Sequence, residues 1–141
     1  MGTWDTGIFD DDVALDFLQD FEVGGASAIN DAFATVQRDA AAGYIDRDNG
    51  SMALAAAEIV ATSFGQADPK LDSDLLSAIL SHKGEVRALS SMPQQALLTI
   101  DLVIGSPESS ELLSLFGEAN LEDEFLAGVT GLRERLEAIS Q

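Results

Sequence analysis

The apolar residues of this chain recur at helical spacing, and that periodicity limits what it can fold into more than any other feature. The final segment carries it most clearly. Phe125, Val129, Leu132, Leu136 and Ile139 stand four, three, four and three residues apart, which lines them along one side of a helix. Val13, Phe17 and Phe21 repeat every four residues near the start, with Ala14 and Leu18 beside them. No stretch alternates apolar and polar residues as a half-buried strand does. Gly128 and Gly131 interrupt the final seam, each costing about 0.8–1 kcal/mol relative to alanine in an exposed helix interior. They are therefore expected where a neighbouring helix comes very close.

Glycines, prolines and capping residues divide the rest into short helices. Asp10-Asp11-Asp12 supplies a side-chain acceptor and a negative charge at a helix start, and Gly24-Gly25 ends that helix. A second helix from Ser27 to Ala42 buries Ile29, Phe33, Val36 and Ala40 and stops at Gly43, where a positive φ is wanted. Tyr44 to Gly50 reads as a polar loop. Asn49 or Ser51 then caps a third helix carrying Leu54, Ile59, Val60 and Phe64 through Ala55-Ala56-Ala57 to Gly65. Gln66 to Leu71, with Pro69, is a connector. Asp72 or Ser73 opens a shorter helix bearing Leu75, Leu76, Ile79 and Leu80, with His82 and Lys83 in its favourable last turn before Gly84. Pro93 suits a first helical position and leads Leu97, Ile100, Val103 and Ile104 to Gly105. Ser106 caps an immediate restart that carries Leu112, Leu113 and Phe116 to Gly117, and Asn120 precedes the last helix. The expected fold is all-α: a compact irregular bundle of about six to seven short helices with a longer C-terminal helix, in one domain spanning residues 1–141.

Charge decides which partners are plausible. Seven basic against 25 acidic side chains leave a formal charge of −18. Phosphate backbones and anionic lipid headgroups repel such a chain, so neither nucleic acid nor a membrane is an expected partner, whereas a basic protein or a cation is attracted. Solubility, including adaptation to a salty cytoplasm, accounts for the same charge. The absence of cysteine excludes disulfides, thiolate metal sites and cysteine nucleophiles. No apolar run is long enough to span a membrane, and the acidic N-terminus does not read as a signal peptide, so a cytoplasmic location is expected.

The acids concentrate at the start. Eight of them (Asp5, Asp10, Asp11, Asp12, Asp16, Asp20, Glu22 and Asp31) precede Arg38 with no basic residue among them. Asp12, Asp16 and Asp20 fall one helical turn apart, where like charges each cost about 0.2–0.5 kcal/mol. Either this stripe is solvated or paired within the fold by Arg133 and Arg135, or it awaits a cation or a basic partner. Trp4 also has two readings: an anchor filling a pocket between helices with its N–H bonded, or an exposed hot spot for a partner. Trp4, Asp5, Asp10, Asp12, Asp16 and Asp20 form the candidate partner-binding set.

Catalytic signals are weak by comparison. Asp46, Asp48, Asn49 and Gly50 resemble a calcium loop, but glycine falls fifth instead of sixth and the twelfth residue is Ala57 instead of glutamate. Turn chemistry explains the same residues. Asp10, Asp12 and Asp16 are chemically suited to magnesium, without the lysines or glycine loops that usually grip its phosphate. His82 is the only histidine, and no serine sits in a G-x-S-x-G elbow. No catalytic residue, resident metal or cofactor is assigned.

Three stretches carry a family resemblance. Met1, Gly2, Trp4, Gly7, Phe9, Asp10 and Asp12, followed by Ala14, Asp16 and Phe17, resemble the opening signature of a bacterial family, domain of unknown function 4259 (DUF4259). Ala53 to Gly65 (ALAAAEIVATSFG) is similar to its alanine-rich helix with an acidic residue, here Glu58. Ser110-Glu111-Leu112-Leu113 and the helix of Leu132-Arg133 resemble its end. Asp5 departs from the usual glycine and Asp11 from the common asparagine, while Phe116 and Phe125 stand where tryptophans are expected. The resemblance implies the fold and no known activity. The functional expectation is a non-catalytic interaction module, immunity- or inhibitor-like, whose acidic face docks a basic protein. The alternative is a small carboxylate-dependent magnesium or manganese enzyme. Monomer and homodimer suit either reading.

Overall fold

The computed structural model describes residues 7–140, the side chains of Asp10 and Ser140 excepted; Trp4 and Asp5 lie outside the described residues. The chain is helical, as the apolar periodicity requires. A 3-10 turn, Ile8–Asp10, leads into α1 (Asp12–Gly24), α2 (Ala26–Ala42) and α3 (Arg47–Ser63). After a connector come α4 (Ser73–Ile79), a second 3-10 turn (Leu80–His82) and α5 (Lys83–Arg87). Three helices complete the bundle: α6 (Met92–Val103), α7 (Glu111–Glu118) and α8 (Glu122–Ser140), the last being the longest.

The centre of the molecule is α3. Every residue from Ala53 to Ser63 is buried, as are Gly50 and Ser51. A helix that is apolar all round has to be enclosed on every side, and α1, α2, α6, α7 and α8 all pack against this one. Ala53, Ala55, Ala56, Ala57 and Ala61 keep it thin enough for that. Larger side chains arrive from the surrounding helices: Phe17, Leu18 and Phe21 from α1, Ile29, Phe33 and Val36 from α2, and Ile100 and Val103 from α6. The seam read from α8 is real, with Phe125, Val129, Leu132 and Leu136 buried. Phe125 stacks on Phe116 of α7 with ring centroids 4.4 Å apart.

Local chemistry sets several boundaries where expected. Asp11 Oδ1 accepts from Val13 N at 2.9 Å and starts α1, and Asp72 Oδ1 accepts from Leu75 N at 2.9 Å and starts α4. Gly43 closes α2 at φ 101°. Between α1 and α2 the chain turns in one residue, Gly25, at φ 66°. The freed N–H of Ala26 then donates to Glu85 Oε1 of α5 at 2.6 Å.

Other boundaries differ from the sequence reading, some of them for a tertiary reason. The expected loop Tyr44–Gly50 is mostly helix, because α3 begins at Arg47. Its cap comes from neither Asn49 nor Ser51: Arg47 N donates to Glu111 Oε1 at 2.9 Å. A parallel bridge between Ile45 and Ser110 brings the two segments together. Ser106 holds a turn, accepting from Glu108 N at 3.1 Å, and Ser110 is the true cap of α7. Gly84 lies inside α5, where the burial of Val86 extends the helical path. Gly117 lies inside α7, and Asn120, at φ 60°, makes the turn toward α8.

Two further expectations are corrected. An added Cβ at Gly128 or Gly131 would meet nothing within 4 Å, so neither marks a close helix crossing. They sit off the buried seam, on the accessible side of α8. His82 does not serve its own helix end. Its Nε2 lies 2.8 Å from the carbonyl oxygen of Glu22, and since a carbonyl only accepts, Nε2–H donates to the C-terminal end of α1. Phe21 meets the imidazole edge-on at 5.3 Å.

Candidate functional site

The stripe of acids on α1 is exposed as drawn from the sequence. Asp12, Asp16 and Asp20 all face solvent, and so does Gln19. At 3.6 residues per turn these positions share one face with Val23, which is 90% exposed. Two like-charge steps of about 0.2–0.5 kcal/mol each oppose the helix. Burying Phe17, Leu18 and Phe21 on its other side contributes roughly 1.5–3 kcal/mol apiece and wins easily.

No arginine neutralises that face. Arg133 pairs with Asp101 (Nε–Oδ1, 2.8 Å) and Glu137 (Nη1–Oε2, 2.8 Å), and these partners raise its guanidinium above the ordinary value, the Asp101 hydrogen bond most of all. Arg135 pairs with Glu58, and Arg47 with Asp48 and Asp11. The possibility that Arg133 or Arg135 covers the α1 stripe is thereby removed. Trp4 and Asp5 fall outside the described residues, as does the side chain of Asp10. Among the described residues, no three His, Asp or Glu converge as a metal-holding group.

Among the described acid side chains of the opening run, Asp11 has the most partners. Its Oδ1 caps α1, its Oδ2 accepts from the Ser51 hydroxyl at 2.7 Å, and both oxygens face Arg47 Nη2 at 3.3 Å. It ties the start of α1 to the first two turns of α3. Its role is structural. Nothing in the run itself separates Asp11 from its neighbours, because the distinction lies in residues 36 and 40 positions away.

A second polar group is more deeply set. Glu58, 3% exposed on the central helix, receives Arg135 Nη1 on Oε2 at 2.7 Å and Nη2 on Oε1 at 2.8 Å. This two-pronged pairing satisfies both carboxylate oxygens of a buried charge. Thr62 Oγ1 adds a bond to Oε2 at 3.2 Å, and Arg135 Nη1 also donates to the Gln66 carbonyl at 2.9 Å. The Glu58 hydrogen bonds raise the Arg135 guanidinium above its usual value against the opposing effect of burial. The pair is neutralised and its carboxylate fully bonded, so it holds α8 onto α3 and offers no free base. Only the lone acid within an alanine-rich run hinted at it.

Above this pair lies a cavity of about 290 Å³. Ile8, Phe9, Leu71, Leu75 and Val129 supply apolar walls, and Asp68, Lys70 and Asp72 are the charged groups that join the pair in its lining. Gly128 contributes bare backbone.

Together these features define a small all-helical domain built around one enclosed, alanine-rich helix with a single carboxylate at its heart. Residues 2–127 match the family described as domain of unknown function (DUF4259), and the chain belongs to that family. The matched stretch includes Asp11, Glu58 and Glu111. It ends before Leu132 and Arg133, and also before Arg135, so the cation that neutralises Glu58 lies beyond it. No curated protein and no solved structure matches the chain.

Proposed function

We propose that this protein is a cytoplasmic, non-catalytic interaction module, immunity- or inhibitor-like, that docks a basic protein on the outward face of α1. The observation that carries the reading is the row Asp12, Asp16 and Asp20, exposed one turn apart and without a countercharge among the described residues. Val23 adds an apolar knob to the same face. A charged row of this kind accelerates encounter and selects a partner of opposite sign more than it raises bare affinity. The apolar knob suits the dry centre of such a contact.

Titration calorimetry against basic candidate partners, beginning with the products of adjacent genes, tests the reading. The double variant Asp12→Asn/Asp16→Asn should weaken binding by about tenfold, near 1.4 kcal/mol, and should flatten its salt dependence. An affinity unchanged by the double substitution would remove this face from the account.

A further inference from the structure

We propose that the cavity above Glu58 and Arg135 binds a small organic cation, an ammonium group carried on a compact apolar body. The cavity measures about 290 Å³, near the lower end of the roughly 300–1,000 Å³ that small-molecule sites occupy. The hollow beside Asp11 and Ser51 measures about 20 Å³ and admits no organic ligand.

The lining is graded from inside to outside. Phe9, Val129 and Glu58 are buried, Ile8, Leu71 and Leu75 are half-buried, and Lys70 and Asp72 are exposed. Apolar walls with charges toward the mouth suit a ligand that is apolar at one end and charged at the other. Gly128 leaves room on the α8 side, where an added Cβ would meet nothing within 4 Å.

The acids decide the sign of that charge. Glu58 is closed to a ligand, because Arg135 and Thr62 occupy its oxygens. Asp68 and Asp72 each commit Oδ1 to a backbone N–H at 2.9 Å, from Lys70 and Leu75 respectively. The Oδ2 atom of each has no hydrogen-bond partner among the described residues, and an ammonium has three protons to donate. Three acids against two bases leave the lining negative by one charge. A recess with low-dielectric walls focuses such a field and concentrates a cation. Asp12, Asp16 and Asp20 do not line the cavity, so the inference does not depend on partner docking by α1.

The test uses three probes of one shape on the intact chain: phenethylammonium, the neutral phenethyl alcohol and the anionic 3-phenylpropionate. The amine should move the methyl resonances of Leu71, Leu75 and Val129 saturably, the alcohol should bind about tenfold more weakly, and the carboxylate should move nothing. The variant Asp68→Asn/Asp72→Asn keeps residues suited to a turn and a helix cap, and it should lower the amine's affinity about tenfold, to that of the alcohol. Equal binding of amine and alcohol to the wild-type chain would overturn the proposal, because the acids would then recognise nothing. Preference for the carboxylate would overturn it as well, since Lys70 would then govern the site. So would the absence of any methyl shift at millimolar amine, or shifts confined to α1, which report attraction to the chain's overall charge.

Discussion

Arg135 and Gly131 lie four residues apart on α8 and call for opposite outcomes on substitution to alanine. Arg135→Ala leaves Glu58 buried and unpaired, and removing one partner of a buried pair typically costs about 3–5 kcal/mol. Urea denaturation should show that loss, and a loss below about 1 kcal/mol would mean that water already reaches the carboxylate. Gly131→Ala adds a methyl group into open space and relieves the glycine penalty, so the same measurement should show a gain of about 0.8–1 kcal/mol. At this scale the sequence was legible in its apolar residues and nearly silent in its polar ones. Phe125 through Leu136 announce their burial by spacing alone. Glu58 does not name its partner, because the two stand 77 positions apart and no local pattern links an acid on one helix to a base on another. The glycines of α8 mislead for a related reason: a penalty in the sequence does not say whether a helix or empty space lies opposite.

Among the elements, α3 shows why boundaries were harder to read than helices. Its alanine run marks it as a helix, but its first turn reads as loop because Asp46, Asn49 and Gly50 are good turn formers. The deciding group is Glu111, which closes the first turn of α3 from the start of α7. Loss of a helix cap costs about 0.5–2 kcal/mol. Glu111→Ala should therefore destabilise by that order, and hydrogen exchange should show faster opening at Arg47–Gly50 than elsewhere in α3. Uniform exchange along the helix would show that the Ile45–Ser110 bridge suffices without the cap. The corner between α1 and α2 follows the same logic, since the carboxylate bonded to Ala26 N belongs to α5. Two caps from neighbouring residues, Asp11 and Asp72, were legible, whereas the equally local Ser110 was not, since Ser106 offers the same chemistry four residues earlier. Caps delivered across the fold were not legible.

For the whole molecule, the formal charge of −18 sets the response to salt. Self-repulsion works against the compact state, and raising ionic strength from about 0.01 M to 1 M shortens the screening length from about 30 Å to 3 Å. The melting temperature should rise along that series. A fall would mean that the surface pairs of Arg133 and Arg47 contribute more than the repulsion removes. The candidate site was legible to the same degree as this charge: the Asp12, Asp16 and Asp20 row could be drawn from spacing, and its exposure follows from the apolar face opposite. The cavity could not, because it joins residues from the start, middle and end of the chain.

The long interval between Glu58 and Arg135 also shapes how the protein is made. At about 5–20 residues per second, a ribosome delivers the arginine roughly 4–15 s after the glutamate. Throughout that delay the nascent middle helix carries a carboxylate destined for burial and lacks α8, the part of its sheath that brings the countercharge. A message truncated before codon 135, or a tail clipped by a protease, would make that delay permanent and mark the product for chaperones and degradation.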